Sequence, residues 1–354
     1  MNELQSLAAP LSPVIVDPTT DWRWEALSRA GGASLFVSPP WLRAIATTYG
    51  FCIEARLLVG GTGKPGAGLA YCRLDDAMGE RIVSSPFCDF CDPVGVGPSD
   101  WPRLIRPLLD SGVPVQLRVT SPGWRQVPEL TPASIDRHHR VALDCEPDLL
   151  WRRLDPAARR NVQRARKLGV EVHFDTSPAG LDSFYSLHSL TRQVKHGLLP
   201  QPRRFFHEIH AEFRPSDGVA VALAVLDGRP VAGIVLLEWN GRAYYKFNAS
   251  DPAALYARPN DLLMWECLVR SRLRGRDALD LGLSSGHQEG LARYKRKFAA
   301  TETSIWTLVA GPRPAARHHE LGLALRTVTR LLVDGRVPPD VREGASDALY
   351  RYFT

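Results

Sequence analysis

The sequence predicts an α/β fold of two tandem halves, each a mixed but mainly antiparallel sheet flanked by helices. Three stretches carry that expectation. Residues 219–248 read VAVALAVL, Asp227-Gly228, VAGIVLLEW, Asn240-Gly241 and RAYYKFN. Asp-Gly and Asn-Gly between runs of β-branched and aromatic residues are strong hairpin signals, so a three-stranded meander is expected. Its first two runs are apolar almost throughout, as in strands covered on both faces. A polar loop (249–259), a helix (about 260–274) and a strand, DALDLGL (277–283), follow. The first half of the chain repeats the same order, without evident identity between the halves.

Taken in order, residues 1–20 are Pro-rich and read as an irregular lead-in with room for an added edge strand, followed by a short helix at 21–29. Pro39-Pro40 opens a helix carrying Trp41, Ile45 and Tyr49, with proline pre-set for the first turn. IEARLLV (53–59), AGLAYCRL (67–74) and ERIVSS (80–85) form the first meander, separated by GGTGKPG and DDAMG. A Gly/Pro-rich loop leads to a helix at 101–112 and a strand, PVQLRVT. Residues 121–148 read as a connection with strand character at 141–145, and the domain boundary is placed near Glu146-Pro147. The second half opens with one basic helix over 149–168 ending at Gly169, then the strand VEVHF and helices over 179–196 and 203–213. Leu321, Leu325, Val328 and Leu332 at helical spacing make the tail a packing helix. The expected domains are therefore 1–147, 148–312 and a helical tail, 313–354.

Composition bounds the function. The 354 residues are 44% hydrophobic and 23% charged, as in an ordinary globular protein, with room for two cores. A formal charge of +6 fits an anionic ligand, and a solvated surface equally well. The six cysteines are scattered, which favours a reducing cytoplasm. Cys88 and Cys91 alone form a C-x-x-C, read either as a redox pair or as two loop or core thiols. No second pair or nearby histidine completes a zinc tetrad, and no metal is expected. The first residues lack the features of a secretion signal, and no run is long enough to span a membrane. There is no G-x-S-x-G elbow and no Cys/His nucleophile signature.

Several words in fixed order carry a family resemblance: FVSPPWLRAI (36–45), SSPFCDFCDP (84–93), RRNVQRARKLGVEV (159–172), RPNDLLMWECL (258–268), LDLGLSSG (279–286) and GLARYKRKF (290–298). Over roughly residues 30–310 the chain resembles the Fem-type peptidyltransferases and their GNAT relatives. The resemblance implies two GNAT-like halves and transfer of an acyl or aminoacyl group to an amine without a covalent enzyme intermediate. The implied donor is an acyl-CoA, with aminoacyl-tRNA as the alternative. The implied acceptor is an amine on a cell-envelope or metabolite precursor, with peripheral contact to envelope precursors. A reading from a different class is a catalytically dead module that binds phosphate or RNA.

Acyl transfer passes through a tetrahedral oxyanion, so a fixed cation or N–H donors are needed there, and the amine must lose a proton. GLARYKRKF matches the family's aromatic–Lys pair and places Tyr294 and Lys295 on it, although the family more often has Phe at the first place. The alternative is a solvated basic helix face. Asp280 is expected to orient Lys295, to accept the amine proton, or only to cap the following turn. In GNAT relatives the helix start after the fourth strand binds the CoA pyrophosphate; Arg258 and Asn260 occupy that place, without the usual glycines. Arg159, Arg160 and Arg164 are read as an anion or substrate site. Alternation puts Tyr244, Lys246 and Asn248 on one strand face, read as the acceptor side. His188, His196, His287 and His138-His139 are read as surface or satisfied core histidines.

Overall fold

The structure is a computed structural model that describes residues 12–353 apart from 31, 62 and 313–315. In chain order the first elements are β1 (Ser12–Val16), α1 (Trp22–Arg29), α2 (Pro39–Tyr49), β2 (Cys52–Val59), β3 (Pro65–Leu74), β4 (Arg81–Val83), α3 (Asp100–Leu109), β5 (Val115–Val119) and β6 (Thr131–Ala142). Next come α4 (Pro147–Arg153), α5 (Pro156–Lys167), β7 (Glu171–Asp175), α6 (Pro178–Leu190), α7 (Arg203–Phe213), β8 (Val219–Leu226), β9 (Arg229–Trp239) and β10 (Arg242–Ser250). The last are α8 (Pro259–Leu273), β11 (Ala278–Ser284), α9 (Glu289–Arg296), β12 (Thr301–Ala310), α10 (Ala316–Leu332) and α11 (Pro339–Leu349).

Two compact units result. One is the chain up to Ser134 together with β12 from Trp306; the other is Ile135–Ile305 with the C-terminal helices. The break thus lies upstream of Glu146-Pro147, because 131–142, expected to be mostly connection, is a continuous strand that passes from the first unit into the second.

In the first unit the strands lie in the order β1-β2-β3-β4-β5-β12. The meander β2-β3-β4 is antiparallel, and β4 then pairs with β5 in parallel. A parallel neighbour needs a crossover, which α3 supplies. Trp101, Leu104, Ile105 and Leu108 of α3 form a core with Leu69, Tyr71 and Leu117 of the sheet. Asp21 caps α1 by accepting from the Arg23 N–H at 2.8 Å.

The second unit repeats this order with strands β6-β11-β10-β9-β8-β7. Asp227 and Gly228 take φ of 52° and 74°, and Asn240 and Gly241 take 45° and 76°. These left-handed pairs are what two-residue hairpin turns require, hence the meander β8-β9-β10. As expected, β8 and β9 are buried nearly throughout. The parallel pair here is β10 with β11, joined by α8.

The expected single helix over 149–168 is two. Pro156 disfavours helical conformation at Asp155 and offers no N–H. Asp155 instead caps α5, accepting from Ala157 N–H at 2.6 Å. The helix expected over 179–196 is α6 followed by a π-helical turn, Thr191–His196. β12 arises where the sequence raised no expectation, and α11 falls within the expected helical tail.

Candidate active site

In the second unit β10 and β11 pair only at Arg242, Ala243 and Tyr244 against Ala278, Leu279 and Asp280. The ladder stops there, although β10 runs on to Ser250 and β11 to Ser284. Both strands are bulged just past this point, β10 between Tyr245 and Phe247 against β9, and β11 between Asp280 and Gly282 against β6. Bulges bend a strand and increase its twist, so they turn the strands at the place where pairing ends. An unpaired length of parallel sheet next to a helix N-terminus is a natural place for a ligand.

Lys295 reaches this place from α9. Its ammonium donates to the Leu283 carbonyl at 2.8 Å and the Gly282 carbonyl at 3.1 Å, and the residue is 3% exposed. The solvated-face alternative therefore fails for Lys295, while Arg293 and Arg296 beside it are exposed. Next to it Tyr294 packs on Phe298 and donates its hydroxyl to the Asn260 carbonyl at 2.9 Å. Burial holds the Tyr294 hydroxyl far above its ordinary pKa, so it stays a donor. Asn260, the second residue of α8, also accepts from Asn248 Nδ2 at 3.1 Å. Hydrogen bonds thus join Tyr294, Asn260 and Asn248 in one set, and Lys295 follows Tyr294 in α9.

Asp280 is held differently. Its carboxylate accepts from the Gly282 N–H at 2.8 Å and lies 2.8 Å from His138 Nε2. The first bond is the turn-capping one expected as the simplest role. No direct bond joins Asp280 to Lys295, yet both grip Gly282, one at its N–H and the other at its carbonyl. His138, on β6, is a residue that sequence reasoning undervalued. The strand that carries it lay in the supposed connection, although Val141 and Leu143 alternate as core residues beside it. His139 is fully buried, with no hydrogen bond at either ring nitrogen. Burial, and next the Lys295 charge, push its pKa down to about 4, so it is neutral at physiological pH.

The expected face of Tyr244, Lys246 and Asn248 does not form. Tyr245 packs with the α8-side core, whereas Phe247 meets Phe205, Phe206 and His188. Asn248 reaches Asn260, returning to the Tyr245 side. The bulge inserts Lys246 as an extra residue and breaks the alternation. Arg258 is exposed in a left-handed conformation just before α8. The next residue, Pro259, has no N–H, and the Asp261 N–H already bonds the Arg258 carbonyl at 3.2 Å. The helix start therefore offers an anion the Arg258 charge and the Asn260 N–H rather than a glycine cradle. On α5, Arg160 and Arg164 are exposed and Arg159 is half-buried, and among the described residues none of the three has a counter-ion. His188 bonds Gln201 within the aromatic cluster, as a satisfied core histidine.

A polar link missed in the sequence ties α5 to α8: Asn161 Nδ2 donates to Asp261 Oδ1 at 3.1 Å. Burial raises the Asp261 pKa despite that bond. A carboxyl raised on folding contributes stability below its unfolded pKa, and this is lost as pH rises through the folded value. Asp261→Asn should accordingly be more stable than the parent at pH 7, with the gap narrowing towards pH 4. Urea midpoints across that range measure it, and a gap that widens on acidification would count against the assignment.

The corresponding place in the first unit is filled by its own chain. After β4 the loop turns back along β5: Ser84 Oγ accepts from Arg118 N–H at 2.8 Å, and Cys91 N–H donates to the Arg118 carbonyl at 2.7 Å. Asp92 then bonds the Thr120 and Ser121 N–H groups at 2.8 and 2.9 Å. Cys88 and Cys91 are buried in this plug, and burial drives the Cys91 thiol well above its usual pKa, the opposite of an activated thiolate.

Residues 155–296 match the family described as an acetyltransferase (GNAT) domain, which spans α5 to α9 and so includes Lys295 but not His138. No curated protein matches the sequence. Among solved structures, a FemX crystal structure is similar at 12% identity, with 84% of this chain and 97% of that chain covered and a TM-score of 0.63. L-PGS from Bacillus licheniformis is similar at 14% identity, covering 89% and 97%, TM-score 0.52. The tandem GNAT protein from the clavulanic acid biosynthesis pathway is similar at 13% identity, covering 85% and 99%, TM-score 0.51. The chain has the α/β fold of tandem GNAT-like halves, and its resemblance to Fem-type and GNAT acyltransferases holds. Among the described residues no helix is long and apolar enough to cross a membrane.

Proposed function

We propose that the protein is a GNAT-type N-acyltransferase that moves an acyl group from an acyl-CoA onto an amine of a cell-envelope or metabolite precursor. The observation that carries this reading is the buried Lys295 ammonium, anchored on two β11 carbonyls where β11 leaves β10. The amine nitrogen attacks the thioester carbonyl carbon and the carbonyl oxygen takes the negative charge. The C–S bond then breaks as the amide forms, and the proton lost by the nitrogen ends on the departing sulfur as the free CoA thiol. A cation fixed in a buried position stabilises that oxygen without reorganising at the moment of reaction. Lys295 supplies the charge, and Tyr294 shapes the wall beside it through its bond to Asn260. Asp280 acts as a positioning residue, holding the Gly282 peptide whose carbonyl receives Lys295. Arg258 and Asn260 receive the donor's anionic handle.

A second reading, an aminoacyl-tRNA donor, rests on Arg159, Arg160 and Arg164 on α5, which have no counter-ion among the described residues. The same arginines serve the dead phosphate- or RNA-binding module as well. A cytoplasmic location belongs to the proposal, because the described cysteines are free. Native mass spectrometry with acetyl-CoA and with charged tRNA separates the readings. One acetyl-CoA per chain is expected. Capture of charged tRNA with no acetyl-CoA complex would replace the donor, and RNA binding independent of charging, with no acyl transfer, would favour the module.

A further inference from the structure

The second unit holds a cavity of about 300 Å³ remote in sequence from the β10–β11 site, between α6, the π-helical turn, the start of α7 and the C-terminal segment. Its walls are clasped by side-chain bonds. Gln193 Nε2 donates to the Val333 carbonyl at 3.1 Å, and Arg203 bonds Asp182 at 2.9 Å and Glu343 at 3.1 Å. Arg192 adds a bond from its side chain to the Leu199 carbonyl at 3.1 Å. π-Helical turns recur at functional sites, and this one supplies Gln193 to the wall.

Arg203, Arg342 and Glu343 are the charged residues lining the cavity. Arg203 is matched by Asp182 and Glu343, and its guanidinium lies 4.7 Å over the Tyr185 ring. Arg342, half-buried on α11, also lines the cavity, and among the described residues no carboxylate pairs with it. Burial, and then Glu343, push the Tyr185 hydroxyl up to about 12, so it remains protonated. Leu190, Leu198, Pro200, Val333 and Pro339 give the cavity an apolar side, and Ser186, Ser189 and Gln193 a polar one. A half-buried guanidinium without a counter-ion beside an apolar wall is complementary to one negative charge on a small apolar body.

We propose that this cavity binds a small organic monocarboxylate, its carboxylate on Arg342 and its short apolar body against Leu190, Leu198 and Val333. Such a ligand would join α11 to α6 and the π-helical turn. The site uses none of the groups of the proposed acyl-transfer centre, so its test is independent of that reading.

The test is isothermal titration of the full chain with hexanoate, with hexanamide and inorganic phosphate as controls. Hexanoate is expected to bind once per chain, hexanamide and phosphate far more weakly. Arg342→Gln should weaken hexanoate at least about tenfold, the scale of losing a charge-assisted contact. Ser186→Phe, which fills the cavity from an exposed helix position, should do the same if Arg342→Gln does not fold. No hexanoate binding, phosphate binding as tightly as hexanoate, or affinity unchanged in a folded variant would overturn the proposal.

Discussion

Lys295→Met is expected to lower turnover by about 10²–10³-fold while leaving donor affinity within a few-fold, because a charge acting on the oxyanion is felt mainly in the transition state. The variant also leaves the Gly282 and Leu283 carbonyls without their donor, at a cost of about 1–3 kcal/mol for buried acceptors. Turnover must therefore be measured where urea unfolding shows the variant folded. Lys295→Arg keeps the charge on a longer, planar head and should recover part of the rate. A fall of less than about tenfold in turnover with collapsed affinity would make Lys295 a binding residue.

Asp280→Ala should be the most damaging single change to stability in the site, costing about 2–5 kcal/mol. It strips a 4%-exposed carboxylate from His138 Nε2 and from the Gly282 N–H, removing the acceptor that the two share. Asp280→Asn retains an oxygen for Gly282 and should lose less. Urea denaturation of the two variants decides the matter. Equal midpoints for parent and Asp280→Ala would show that the pair contributes little.

The meander over 219–248 was legible because turn chemistry and apolar runs agree there, with Asp227-Gly228 and Asn240-Gly241 demanding left-handed φ. Lys295 was legible only through its word in GLARYKRKF. Its basic neighbours made the run look solvated, and nothing local distinguishes the lysine that turns inward. His138 and Asn161 were not legible, since each acquires meaning from a partner 142 or 100 residues away. The alternation proposed for Tyr244, Lys246 and Asn248 failed because a bulge is set by the partner strand's register rather than by the strand's own sequence. Likewise the helix over 149–168 broke at Pro156, where a visible local signal was outweighed by the apolar pattern on either side.

Hydrogen exchange of the protein with and without excess acetyl-CoA tests the central claim most directly. Donor binding where β11 leaves β10 should slow exchange in β10 beyond Tyr244 and at the start of α8, with the loop that plugs the first unit unchanged. Slowed exchange confined to the first unit, or none in β10 and α8 under conditions where acetyl-CoA is bound, would contradict it.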